Sequence, residues 1–296
     1  MSSAVGARLP RPGSGRLRRR GATALQVSPA TLIVLVFAIA PLVVFLLYSF
    51  WKVSEYEIVS DWNLGNYSEA LGDDVYRRAF LNTLRIAGSA ALLATAIAYL
   101  FAHAMRFHLR RWQEPLLFCV IVALFSGYLV RIFAWRTLLG EHGFINESLQ
   151  SLGVISEPLT FLLYNRIAAV VVLANFLIPL AILPIYGVLQ NVDEGEVLAA
   201  RDLGCGPAGA FRRVTLPLAW PGIAGALALT FIIAAADYLT PTLVGGVSGT
   251  MIGQTIATTF LDSFDWPAGA AIAFVTLALT LLIVALVRWL GNRVLR

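Results

Sequence analysis

The sequence predicts an all-α integral membrane protein of six transmembrane helices with both termini in the cytoplasm, and three observations carry that reading. The 296 residues are 58% hydrophobic and only 13% charged, with a mean hydropathy of +0.77. A soluble domain of this length has too few polar groups to cover so much apolar surface. The apolar residues also gather into six runs, each close to the ~20 residues that cross ~30 Å of hydrocarbon. The basic residues, finally, lie between those runs and mostly on one side. With the N-terminus inside, the tail holds six arginines, 106–111 three, 201–213 three and the segment from Arg288 three, fifteen in all. The opposite segments hold six: Lys52, Arg77, Arg78, Arg131, Arg136 and Arg166. Cytoplasmic loops carry the excess of Lys and Arg, which sets this orientation.

Residues 1–27 are rich in Arg, Gly, Ser and Pro and have no apolar face to bury, so they read as a disordered basic cytoplasmic tail. The run from about Pro29 to Phe50 is too long for a signal-peptide core and lacks a small-residue cleavage site after it. It reads as an anchor, and with its outer loop it makes a peripheral unit over 28–78. Five further runs, at about 79–105, 114–134, 167–189, 217–237 and 268–290, form the transmembrane core over 79–296. The second helix is dense in small residues (Gly88, Ser89, Ala90, Ala91, Ala94, Thr95, Ala98). Small side chains let helix backbones approach closely in lipid, so this helix is expected at the centre of the bundle. The fourth carries Pro179 and Pro184, and the fifth starts with Pro217 and Pro221; both are expected to bend and to be packed within protein.

Several chemistries are excluded. The single lysine, Lys52, lies outside any GxxxxGK[ST] segment, so the chain cannot cradle nucleotide phosphates by that route. No GxSxG elbow or clustered metal-ligand spacing occurs, and His103, His108 and His142 stand apart from one another in pattern. No metal and no cofactor is expected on this chain, and it is not read as an enzyme. Cys119, in a helix, and Cys205, in a cytoplasmic loop, are expected to stay reduced. The positive charge flanks membrane runs, which accounts for it without nucleic acid.

The most informative segment is the loop 193–213. Asp193, Glu194 and Glu196 favour a helix N-terminus, and Gly204 or Gly206 suits its C-cap. Val197, Ala200 and Leu203 recur at i, i+3 and i+6 as a small apolar ridge. By periodicity alone, this is a helix lying on the membrane surface or docking on a partner.

Ala199-Ala200, Gly204 and then Val214-x-Leu216-Pro217 resemble the EAA-xxx-G-x9-I-x-LP pattern of permease subunits of type I ABC importers, whose fold is MetI-like. The resemblance implies a coupling helix that docks on an ATPase subunit through Ala199, Ala200, Arg201, Asp202, Gly204 and Pro217. The motif's Glu is Leu198 here; Glu194 lies one helical turn earlier on the same face and could replace its charge, and Glu196 is the other acid in reach. The run Phe125 to Trp135 and the segment Asp237-Tyr238-Leu239-Thr240-Pro241 resemble the spermidine/putrescine subfamily. That likeness implies a second homologous permease subunit, two ABC ATPase subunits that bind ATP and Mg, and a periplasmic or lipid-anchored solute-binding protein. It places the chain in the bacterial inner membrane and implies import of polyamines or related amino compounds. An anionic or zwitterionic solute such as an opine or aminophosphonate is the alternative, and an ion-coupled carrier the more distant one.

Asp237 ends an apolar run at the membrane boundary. With Tyr238 it is a candidate receptor for an ammonium group, or else it braces the Thr240-Pro241 turn. Tyr128, Arg131, Trp135 and Thr240 complete the solute-path candidates. Arg131 is read as snorkelling to the outer interface, pairing with an acid such as Asp237, or binding an anionic group. Asn175 reads as an interhelical hydrogen-bonding residue and Arg85 as reaching the outer headgroups.

Overall fold

The computed structural model describes residues 33–294 except 34 and 56, so the basic tail lies outside the described residues. Helix α1 (Leu35–Tyr48) is followed by a short hairpin of β1 (Lys52–Ser54) and β2 (Glu57–Val59), then α2 (Gly65–Gly72). The long helices come next: α3 (Asp74–Phe107), the pair α4 (Gln113–Phe125) and α5 (Tyr128–Leu139), a short α6 (Phe144–Ser151), and α7 (Arg166–Leu189). The loop helix α8 (Glu194–Asp202) precedes α9 (Pro207–Ala235), and α10 (Ile252–Leu261) and α11 (Trp266–Val294) close the chain.

By length and apolarity α3, α7, α9 and α11 can each cross a membrane, and the bent α4–α5–α6 segment makes a fifth span if counted as one. Helix α1 is apolar but only 14 of its residues are described. None of those residues is buried; Phe45 sets its ring edge-on to Phe260 at 5.9 Å and stacks on Trp266 at 6.5 Å.

Helix α3 forms the centre of the bundle with α7 and α9. Ala87, Ala90, Ala91, Ala94, Ala98 and Ala102 are fully buried, spaced by three and four residues so that they share one face. Against it pack Ala169, Leu173, Ala174 and Leu177 of α7, and Phe231, Ala234 and Ala235 of α9. Lipid supplies no hydrophobic drive between helices, so close backbone approach and dispersion hold this contact. The opposite face of α3 shows Leu92 and Leu100 to the exterior. Polar ties fix its first turns: Asn82 donates Nδ2 to the carbonyls of Ser248 and Thr250, both at 2.8 Å, and the buried Thr83 hydroxyl accepts the Ile252 N–H at 2.7 Å.

One expectation about span geometry changes. The run at 114–134 is not one straight helix: the segment Arg110–Phe125 meets Tyr128–Ser151 at about a right angle (90°). Ser126 and Gly127 leave the helical conformation between them (ψ 124° and 131°). Pro179 and Pro184 of the fourth span lie inside α7, which runs unbroken over its 24 residues, with Pro179 buried in protein. In the fifth, the irregularity is a π turn over Phe211–Thr215, where the Leu216 N–H reaches back to the Phe211 carbonyl. This wider turn lies just before Pro217, which has no N–H of its own to continue the ladder.

Replacing Ala90 or Ala94 with Leu should lower the thermal stability of the detergent-purified protein by about 1–3 kcal/mol, because overpacking a fully buried face forces the neighbouring helices apart. The control Leu100→Ala, on the exposed face, should shift the melting point far less in the same assay.

Candidate functional site

The bend after α4 decides where the solute-path candidates lie. It turns the first residues of α5 inward against α7, where the Tyr128 ring meets Phe176 at 4.5 Å and the Arg131 guanidinium lies 5.7 Å from the same ring. Phe176 is ten residues into α7, about 15 Å along the axis from Arg166. Arg131 is therefore half-buried over an aromatic face, a favourable place for a guanidinium. No ion pair joins it to Asp237 among the described residues.

Asp237 follows the end of α9, where the chain turns into a π turn over Pro241–Gly245. Its Oδ1 accepts the Leu239 N–H and its Oδ2 the Thr240 N–H, each at 3.2 Å. That is the bracing role read from the turn sequence, and it leaves lone pairs on both oxygens. Thr240 is fully buried, and its hydroxyl shares a 2.6 Å hydrogen bond with the Tyr128 hydroxyl. Gly253 of α10 presses on the same turn: a Cβ there would lie 2.6 Å from the Asp237 carbonyl oxygen. Tyr238 is exposed beside it, and Trp135 lies half-buried one turn beyond Arg131, in the apolar cluster of Ile132, Val172 and Val244. Asp237, Thr240, Tyr128, Phe176 and Arg131 thus form one connected group. Phe176 was missed in the sequence because an aromatic in an apolar span carries no signal of its own.

Asn175 differs from expectation. It is exposed on α7 and hydrogen-bonds no other helix among the described residues. Arg85 is exposed on α3.

At the other end of the bundle the loop 193–213 is built as its sequence suggests. The Asp193 carboxylate caps α8 by accepting the Gly195 N–H at 2.9 Å. Gly204 adopts φ +85°, and the bonds Cys205 N–H to Ala200 carbonyl (3.0 Å) and Gly204 N–H to Arg201 carbonyl (2.9 Å) close a Schellman cap. The motif glycine thus supplies a left-handed residue that ends the helix. Glu196, Leu198, Ala199, Arg201, Asp202 and Gly204 are exposed, while Ala200 and Pro217 are half-buried.

Two details of this loop depart from the sequence reading. Leu203 is 87% exposed and does not extend the ridge of Val197 and Ala200, because it lies in the C-cap and leaves the helical periodicity. Glu194 reaches back to the core: its Oε1 lies 2.9 Å from Arg106 Nη1 and 3.3 Å from Arg110 Nη1, with its side chain 42% exposed. No group of His, Cys, Asp and Glu able to hold a metal occurs among the described residues, and Cys119 and Cys205 are free thiols.

An all-helical bundle with apolar spans, a central small-residue helix and a Gly-capped loop helix at one end has the architecture of a membrane permease. The chain belongs to the family described as binding-protein-dependent transport system inner membrane component, whose model matches residues 30–296. It is 32% identical over 234 residues to the spermidine/putrescine transport system permease protein PotB of Escherichia coli K12, covering 79% of this chain and 84% of that one. It is 33% identical over 222 residues to PotB of Haemophilus influenzae, covering 75% and 76%. Among solved structures, it resembles a chain of a bacterial alginate ABC transporter crystallised with an alginate-bound periplasmic protein, with a TM-score of 0.76 and coverage of 95% and 97%. At 15% identity that likeness concerns the fold alone. The protein is a permease subunit of an ABC importer of the bacterial inner membrane.

Tyr128→Phe removes one partner of the buried Thr240 hydroxyl and should cost about 1 kcal/mol of stability. Gly253→Leu should cost more, since its side chain meets backbone that cannot move aside. Thermal unfolding of the purified variants, ranked against each other, checks both.

Proposed function

We propose that the chain forms one half of the solute path of an ATP-driven polyamine importer, with six transmembrane helices and both termini in the cytoplasm. The observation that carries the solute class is the resemblance to permeases named for spermidine and putrescine over 79% of the chain. The site chemistry agrees with it. Asp237 keeps a carboxylate that no arginine among the described residues pairs with, beside the exposed ring of Tyr238, and both can receive an ammonium group. Arg131 is occupied with Phe176, which weighs against an anionic solute.

The partners are a second homologous permease subunit, two ABC ATPases that carry ATP and Mg, and a periplasmic or lipid-anchored solute-binding protein. This chain needs no cofactor. In the mechanism, ATP binding closes the ATPases, and α8 carries that motion to α7 and α9, so that the cavity turns outward. The loaded binding protein then delivers its solute. Hydrolysis resets the cavity inward. Docking is expected through Ala199, Ala200, Arg201, Asp202 and Gly204, with the exposed Leu198 where the family motif has Glu.

Uptake of radiolabelled spermidine and putrescine by cells carrying the complete system tests the solute. Asp237→Asn keeps a side-chain acceptor for the turn but removes the charge. It should lower uptake roughly tenfold, the weight of a hydrogen bond to a charged group; unchanged uptake would leave Asp237 as a brace only. Ala200→Pro should break α8 and abolish recovery of the ATPase with the permease, while membrane insertion stays normal. Recovery of the intact complex from that variant would end the docking assignment.

A further inference from the structure

We propose that Arg106 and Glu194 form a strut that makes the coupling helix move as one body with the membrane core. The inference rests on the docking of α8 proposed above and adds the route by which force leaves it. Helix α8 is joined to α7 by residues 190–193, a turn in which the Asn191 and Val192 N–H groups bond the Val188 and Leu189 carbonyls; side-chain contacts must hold the helix itself to the core. The hydrogen bonds from α8 side chains to the core helices and their adjoining turn all pass through one residue, Glu194, among the described residues. Its N-terminal N–H groups do not need that carboxylate, because Asp193 already provides the cap.

Arg106 is the other half. It lies in the last turn of α3 with a side chain only 15% exposed. Its Nη1 holds Glu194 Oε1 at 2.9 Å, its Nε donates to the Leu189 carbonyl at the end of α7 at 3.3 Å, and its Nη2 donates to the Val192 carbonyl at 3.3 Å. A planar guanidinium distributes its donors in a fixed fork, so one side chain ties the ends of two core helices to the first residue of α8. Arg110 adds a weaker, exposed contact at 3.3 Å. An exposed ion pair between flexible side chains contributes little. This pair differs, because the Leu189 and Val192 carbonyls already hold the arginine in place.

The departure from the family motif fits this division of labour. The position of the motif's acid holds Leu198, which is 56% exposed. Glu194, one turn earlier on the same face, reaches back to Arg106 and Arg110 at the root of the helix. The exposed residues further along α8 are thus left to contact a partner, and the acid at its first turn to transmit displacement to α3 and α7. Arg106 and Glu194 are positioning residues in this scheme and touch no solute.

The test uses the complete transporter, with both permease subunits, ATPases and binding protein, in proteoliposomes. Three quantities are measured: ATPase recovered with the permease, nucleotide hydrolysed, and labelled spermidine imported per nucleotide hydrolysed. Recovery reports on docking; import per nucleotide reports on the strut. Arg106→Gln should retain the ATPase yet lower import per nucleotide by roughly tenfold, a size usual for coupling between sites. Arg106→Lys, which preserves the charge but not the three-donor fork, should restore only part of it. In a cycle with Glu194→Gln, the double variant should import no worse than either single one, because all three lack the same contact. Unchanged import per nucleotide in Arg106→Gln, or additive losses in the double variant, would overturn the proposal. So would loss of the ATPase from Arg106→Gln, which would make the pair part of docking or folding.

Discussion

The structure depends on how closely α3 can approach α7 and α9. A helix in lipid gains nothing by burying a leucine instead of exposing it, so association rests on dispersion between well-fitted surfaces. The alanine face from Ala87 to Ala102 provides that fit, and every residue along it is completely buried. Once the three helices are in register, the ends of the bundle are fixed as well. One end holds Asn82 and Thr83 bound to the backbone around Ser248 to Ile252, and the other holds Arg106 against the end of α7. Both candidate sites are built on these ends.

The path candidates show what a break in a helix accomplishes. Had the third run continued straight, Arg131 would have emerged at the far surface with Tyr128 a turn below it. The right-angle turn at Ser126 and Gly127 instead sets both against Phe176 and brings the Tyr128 hydroxyl to Thr240. The bend also spares the arginine an isolated position in hydrocarbon by giving it an aromatic face. The turn at Asp237 is held by its own carboxylate from one side and by Gly253 from the other.

The loop at the opposite end is set by two kinds of contact. Its ends are set locally, by Asp193 at the start and Gly204 at the stop. Its orientation is set by distant residues, since Glu194 meets arginines that precede it by more than eighty positions. Local rules shape the helix, and long-range charge aims it.

Much of this was readable in the sequence. Composition and run length determine a membrane chain, because no other solvent suits 58% apolar residues in such stretches. The central place of the second helix follows from its small residues, and the start and stop of α8 follow from Asp193 and Gly204, since each of these signals acts within a few residues. The family resemblance rests on the same kind of local spacing. Only the tertiary structure decided the bend between α4 and α5, the pairing of Glu194 with Arg106, the exposure of Leu203 and Asn175, and the meeting of Arg131 with Phe176. Hydropathy sums over a window and cannot detect two non-helical residues within it, and a charge pattern does not name its partner. Those outcomes depend on which helices lie side by side, a property of packing that no single segment contains.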